Sequence, residues 1–528
     1  MVSLHGLIRR NAMKSIFVLT LLAAVSLLPV APGYAAEQDA TPAANAVHAA
    51  RSAEANRSAE DEDDLVVTQH TITVQGKSLA YTATAGTIPI TDDAGKLQAK
   101  MFFVAYVGSD GGHSRPVTFA FNGGPGASSM WLHLGIGPKR VMLPADGTML
   151  PKSTVLTDNE STWLRFTDLV FVDPVGTGYS RAAPGIDERQ FYEVVRDIDA
   201  AAAFVRRYVS RYQRWLSPKF IAGESYGTTR AAALVNRLQN VAGINLNGVM
   251  LVSSVLDFHT IAFEAPNDLP YVLALPSYAA TIWYHDKAPG SVTSVVREAE
   301  QWAMSDYLVA LAKGDSIGDA EKSRIADRLA RYTGLDKAEL ERRRLRVGPL
   351  TFGRQVLRQS GRRVGRFDSR VTAPAESPST ESSDSDPSFF LVTGPLVEAL
   401  NAYLRGELQY RSDLRYEYFS RDANRAWKWR SGGQGYLYVG DELAEAMSRD
   451  PRLKVFAAAG YYDLATPYLA QKYTFEHMEL DRPLRANLTF VGYASGHQIY
   501  TDPASAAKLE SDVERFVTCS VEHLCEQE

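Results

Sequence analysis

The sequence predicts an α/β protein: a mostly parallel central sheet flanked by helices and interrupted by a helical insertion. Three observations carry this reading. Short apolar runs at Val117–Phe121, Leu169–Val172, Phe220–Ala222, Val249–Ser253, Lys454–Ala459 and Leu488–Val491 read as strands. Helical spacing appears between them at Phe191–Tyr212, Thr229–Leu238 and Pro503–Val517, and such alternation marks a parallel sheet. The block from 256 to 389 breaks the pattern, with helical stretches at Val292–Ala312 and Ala320–Tyr332 and no strand-like runs of the same kind.

The composition agrees. The chain has 528 residues, of which 45% are hydrophobic, 10% aromatic and 22% charged. This excludes a collagen, a coiled coil and a wholly disordered chain. Sixty-one acids against 56 bases give a net charge of −5, which leaves no overall footprint for nucleic acid.

The elements follow in order. Arg9, Arg10 and Lys14 precede an apolar run from Ile16 to Val30, and small residues follow at Ala31, Gly33, Ala35 and Ala36. That is the layout of a secretory signal peptide over residues 1–36, cleaved near Ala35 or Ala36. The run is shorter than the roughly 20 residues a membrane span needs, so no stable membrane insertion is expected after cleavage. Arg9-Arg10 also faintly resembles a twin-arginine signal, so the export route stays open between the two systems. Periplasmic or extracellular residence is the expectation. Residues 37–64, rich in Ala, Glu, Asp and Asn, read as a disordered lead-in. The first part of the α/β core is expected at 65–255. It opens with antiparallel strands: Val66 to Val74 alternates, Met101–Val107 follows, and turns fall at Asp92–Gly95 and Asp110–Gly112. Gly76-Lys77-Ser78 lacks the first glycine of a phosphate loop, and no helix follows it. The insertion spans 256–389 and includes a mobile Ser/Pro/acid-rich loop at 372–388; the second core part runs over 390–528. Its only cysteines, Cys519 and Cys525, could bridge if the chain turns there but would staple no core.

The chemistry concentrates after the strands. Gly223-Glu224-Ser225-Tyr226-Gly227 is a G-x-S-x-G elbow between the apolar Phe220–Ala222 and a helical stretch, the strand–turn–helix that exposes a nucleophilic hydroxyl. A hydroxyl needs a base and an orienting acid. With this elbow the chain order is Ser, then Asp or Glu, then His. Asp463 follows Lys454–Ala459 and His497 follows Leu488–Val491, both in loops after strands. Backbone N–H groups of Tyr226 and of the glycine loop Asn122–Gly126 can face an oxyanion. No H-E-x-x-H motif and no cysteine cluster is present, so neither metal nor cofactor is expected.

Together these pieces resemble the serine carboxypeptidases. The resemblance rests on Phe121 to Ser129, Val172 to Ser180, Gly223 to Gly227, Gly460 to Asp463, and Gly496-His497. It implies an α/β-hydrolase fold with a helical cap, and release of C-terminal amino acids from peptide substrates through an acyl-enzyme. Ser225 would be the nucleophile, His497 the base and then the acid, and Asp463 the orienting carboxylate. Gly124 and Tyr226 would form the oxyanion hole, and Asn122 and Glu224 would bind the substrate's terminal carboxylate. A glutamic acid donates to a carboxylate only when protonated, so peptide cleavage is expected to favour acidic pH.

Two departures stand out. Ala127 replaces a cysteine usual in the family. The family also commonly has a second glutamate just before the Gly-Pro that follows the Ser-Ser, whereas Met130–Pro138 is acid-free and one residue shorter. Changed carboxylate recognition would favour an esterase, amidase or acyltransferase using the same three residues; a non-catalytic binding protein is the further alternative. The arginines at Arg342–Arg346 and Arg354–Arg370 read as solvated cap surface rather than a site for an anionic partner. Trp283, Tyr284 and Trp302 are candidates for a substrate pocket, with cap packing as their other reading. The sequence is silent on oligomeric state and on side-chain preference.

Overall fold

A computed structural model describes residues 64–110, 112–143, 155–375, 386–429 and 435–522. The expected leader, nearly all of the lead-in and Cys525 lie outside these residues.

The antiparallel side of the sheet comes first: β1 (Val66–Val74), β2 (Lys77–Thr91) and β3 (Leu97–Gly108). Gln75 and Gly76 both take positive φ, 50° and 74°, and Val74 pairs with Lys77. Gly76-Lys77-Ser78 is thus a tight hairpin turn running into a strand. The chain continues through β4 (Val117–Phe121), β5 (Asp168–Val172), the two-residue β6 (Arg181–Ala182), β7 (Lys219–Glu224), β8 (Gly248–Val252), β9 (Lys454–Gly460) and β10 (Leu488–Tyr493). The sheet has ten strands in the order β1-β2-β3-β5-β4-β7-β8-β9-β10, with β6 paired to β3. From β5 to β10 every neighbouring pair is parallel.

Parallel strands are covered on both faces, which is why they read as continuous apolar runs. All five residues of β4 are buried. Along β3 the side chains alternate between two cores. Met101, Phe103 and Ala105 pack with helices Val194–Arg211, Tyr226–Arg237 and Gly440–Arg449. Phe102, Val104 and Tyr106 pack with Met130–Ile136, Pro387–Gly406 and Pro503–Glu522. The chain steps outward from β4 to β5 on one side and from β7 to β8 on the other. The carboxyl ends of β4 and β7 therefore form a topological switch point, where such sheets place their sites.

Helices between Leu269 and Gln355 form a third core around Leu275, Tyr278, Trp302, Tyr307, Leu329 and Phe352. The two expected helical stretches fall on Val292–Trp302 with Leu308–Ala312, and on Asp319–Thr333. The second ends at Gly334, whose φ of +63° is the left-handed stop that glycine adopts without strain. The expected loop at 372–388 is contradicted at both ends. Thr372–Pro374 pairs with Arg362–Val364, and a helix starts at Pro387, where Asp386 caps it by accepting from the Phe389 amide at 3.1 Å. Residues 376–385 lie outside the described residues. That helix also crosses position 389, and Val392, Leu396, Leu400 and Tyr403 pack with the sheet core. Among the described residues no helix is long and apolar enough to cross a membrane.

Candidate active site

Ser225 follows β7 and precedes the helix Tyr226–Arg237, with φ 56° and ψ −130°. A residue with a Cβ pays roughly 1–3 kcal/mol for such a conformation, so its surroundings must impose it. They do so through the backbone. The Ser225 amide donates to Val252 O at 3.0 Å, and the Thr228 amide and hydroxyl donate to Ser225 O at 2.9 and 2.6 Å. The elbow also presses against the loop after β4. A Cβ on Gly123 would meet the Tyr226 amide and Glu224 carbonyl, and one on Gly227 would meet Phe121 O. Both positions require glycine because two backbones touch there.

His497 lies after β10 and Asp463 after β9. His497 Nδ1 is 2.7 Å from Asp463 Oδ2. Asp463 is fully buried, and its carboxylate is saturated by donors: Ala465 N at 2.7 Å, Thr466 N at 3.0 Å and Thr466 Oγ1 at 2.7 Å. The His497 amide donates to Phe367 O at 2.6 Å and its carbonyl accepts from Ser253 Oγ at 2.6 Å, so the imidazole is held from both backbone sides. Burial lowers the affinity of His497 for a proton, but Asp463 and then Glu224 outweigh it, and the pKa is raised above 6.5.

Glu224 closes β7 beside the serine. Its Oε2 accepts from Asn122 Nδ2 and from the Tyr500 hydroxyl, the latter at 2.8 Å. Asn122 is itself fixed: Oδ1 accepts from the Leu132 amide at 3.0 Å, and its carbonyl from Arg230 Nη1 at 2.7 Å. Burial pushes the Glu224 carboxyl up to about 7, with His497 and Tyr500 pulling the other way. Tyr226 is the first helical residue, so its amide has no acceptor within the helix. Gly124 has φ 99°, and among the described residues its amide donates to no backbone carbonyl.

Asn122, Gly124, Glu224, Ser225, Tyr226 and His497 line one cavity of about 650 Å³, with Asp463 behind His497. Its aromatic wall includes Trp131, Phe258, Phe367, Phe389, Phe419 and Trp429. The three aromatics proposed from sequence are elsewhere. Trp302 stacks on Tyr307 inside the insertion at 5.5 Å, and Trp283 and Tyr284 pack toward Tyr461 and Tyr462. Trp283 lines a second cavity, about 850 Å³, which contains none of these site residues. The arginine-rich stretch is also mixed. Arg346 forms two bonds to Asp268, at 2.6 and 2.8 Å, and Arg370 pairs with Asp368 and Asp502. Arg354, Arg363 and Arg366 face the cavity.

Sequence reasoning missed Arg230, Thr466 and Tyr500. Arg230 is buried between Asp197, at 2.8 Å, and the Asn122 carbonyl. Its signal was present: Tyr226 and Arg230 lie four apart on one helix face, and the guanidinium sits 5.3 Å from the Tyr226 ring. The Val172–Ser180 motif turns out to be a brace. Asp173 accepts from the Ser129 amide at 2.8 Å and hydroxyl at 2.7 Å, tying this loop to the glycine loop.

A mostly parallel sheet with flanking helices and a serine elbow after β7 defines an α/β-hydrolase fold. The crystal structure of KEX1, a prohormone-processing carboxypeptidase from Saccharomyces cerevisiae, shares it: TM-score 0.52 and 16% identity, covering 83% of this chain and 91% of that one. Over residues 76–273 the chain matches the serine carboxypeptidase family model, a span that includes the motifs at Phe121–Ser129, Val172–Ser180 and Gly223–Gly227 but not those around Asp463 and His497. Serine carboxypeptidase-like 46 of Arabidopsis thaliana is 29% identical over 182 residues, 32% of this chain and 36% of that protein. Pheromone-processing carboxypeptidase KEX1 of S. cerevisiae is 31% identical over 170 residues, 30% of this chain and 22% of that protein. The match thus spans well under half the length of these relatives.

Proposed function

We propose that the chain is an exported serine carboxypeptidase that releases C-terminal amino acids from peptides. The observation that carries this is a juxtaposition: the strained Ser225 and the Asp463-held His497 open onto the same cavity as the buried Asn122–Glu224 pair. In this reading Ser225 Oγ attacks the scissile carbonyl carbon while His497 Nε2 takes its proton. Asp463 keeps the Nδ1–H in place and balances the imidazolium. The amides of Gly124 and Tyr226 receive the oxyanion. His497 returns the proton to the leaving amine, which departs as the free amino acid. Water then adds to the Ser225 ester by the same route in reverse. Protonated Glu224 and the Asn122 amide hold the terminal carboxylate, and Glu224 titrating at about 7 favours peptide cleavage on the acid side of neutrality. The leader read from the sequence at residues 1–36 supports an activity in the periplasm or outside the cell.

A fluorophosphonate probe tests the nucleophile. Mass spectrometry should find the adduct on Ser225, and Ser225→Ala should abolish both labelling and peptide cleavage. Retained cleavage in Ser225→Ala would overturn the assignment.

A further inference from the structure

Glu224 Oε2 is crowded and Oε1 is not. Two donors, the Asn122 amide and the Tyr500 hydroxyl at 2.8 Å, converge on Oε2. Oε1 instead stands 3.8 Å from His497 Nε2. An oxygen already accepting two hydrogen bonds is the poorer place for a proton, because a proton there would oppose a donor hydrogen. The neutral acid therefore carries its proton on Oε1.

Tyr500 reaches this position because of a glycine. Its ring is packed on Gly135, and a Cβ at 135 would collide with the Cδ2 edge of that ring. Gly135 lies two residues before Gly137-Pro138, in the stretch that lacks any acid. Tyr500 belongs to the turn Ile499–Thr501, just after His497, and is fully buried. The groups facing Glu224 are His497, Asp463, Tyr500 and Asn122. Burial, and then the charge of Glu224, keep the phenol protonated far above neutral pH, so it is a permanent donor.

We propose that Tyr500 is the positioning residue of the terminal-carboxylate subsite: by donating to Glu224 Oε2 beside Asn122, it directs the acid's proton to Oε1 and so toward the carboxylate of a bound peptide. This rests on the carboxypeptidase reading above, and it assigns to a phenol the work of a second acid.

The test is Tyr500→Phe, which keeps the ring on Gly135 and removes only the donor. A blocked dipeptide with a free C-terminus is compared with its methyl ester over pH 5–9, after thermal melting has verified the fold. Loss of a hydrogen bond to an ionisable group should lower kcat/KM for the free acid roughly ten- to a hundredfold, and leave the ester within about twofold on its pH plateau above the acidic limb. The alkaline limb of the free-acid profile should also move up, because the phenol stabilises the Glu224 anion and its removal raises that pKa. Gly135→Ala, which displaces the ring, should reproduce the acid-selective loss with the tyrosine still present. Equal losses on both substrates, or an unmoved limb, would overturn the role of Tyr500 alone. A wild-type enzyme that does not distinguish acid from ester would instead overturn the carboxypeptidase reading, and this proposal with it.

Discussion

Glu224 Oε1 lies 3.8 Å from His497 Nε2, and both side chains are buried. The two groups share a proton question. With one proton between them they are either glutamate and imidazolium or glutamic acid and imidazole, at the same net charge, so the pair titrates as a unit. Only the second arrangement offers both a base for Ser225 and a donor for a carboxylate.

The pH dependence follows from this pair. Peptide kcat/KM should be bell-shaped. It falls below the raised pKa of His497 as the base becomes protonated, and falls above about 7 as Glu224 ionises. Glu224→Gln should abolish the alkaline limb for peptides. It also removes a negative neighbour that raises the His497 pKa, so the acidic limb should move to lower pH on an ester. An acidic limb that stays in place would contradict the coupling.

Asp463→Asn should leave Ser225 in place and misdirect His497. Loss of the orienting carboxylate is worth about 10⁴ in kcat in the Ser-His-Asp template. Thr466→Val, which removes a 2.7 Å donor from Asp463 Oδ2, should cost much less, about tenfold. Pre-steady-state acylation of an activated ester measures both, and an Asp463→Asn enzyme acylating at the wild-type rate would count against the triad.

Gly123→Ala tests the oxyanion geometry. A methyl group there collides with the Tyr226 amide and Glu224 carbonyl, and so separates the two loops proposed to carry the oxyanion donors. The expected loss in kcat is on the order of a hundredfold, as for removal of one oxyanion donor. Steady-state kinetics on peptide and ester should show the defect on both, in contrast to the acid-selective effect expected for Tyr500→Phe.

Arg230→Ala addresses stability. It strands Asp197 as a buried carboxylate without its cation and frees the Asn122 carbonyl. Breaking one side of a buried ion pair costs about 3–5 kcal/mol. Urea unfolding should show this loss, whereas an unchanged midpoint would mean that Asp197 finds another partner.

Much of the fold was legible because its physics is local. Buried parallel strands must be apolar throughout, and Val117–Phe121 and Lys454–Ala459 announce themselves for that reason. The elbow was legible because Gly223 and Gly227 answer to backbone contact rather than to distant side chains. Tyr500 was not: it is one of 25 tyrosines, and only the tertiary meeting of the turn after His497 with Gly135 distinguishes it. Between the two readings of the insertion's aromatics, pocket and cap packing, the sequence does not choose, for a related reason. Trp302 meets its packing needs inside its own helical cluster, and nothing in the sequence separates a ring facing Tyr307 from one facing a cavity. The stretch 372–388 reads as a loop throughout because strand Thr372–Pro374 is only three residues long and carries no periodicity.

The most direct measurement is release of the terminal residue from a blocked dipeptide at pH 5 and pH 8, compared with its C-terminal amide and ester, with Ser225→Ala as control. A larger free-acid to ester rate ratio is predicted at pH 5 than at pH 8, because protonation of His497 slows both substrates while ionisation of Glu224 slows only the free acid, and no turnover is predicted for the variant. Cleavage confined to the ester or amide, or a free-acid to ester ratio that does not fall toward pH 8, would contradict it.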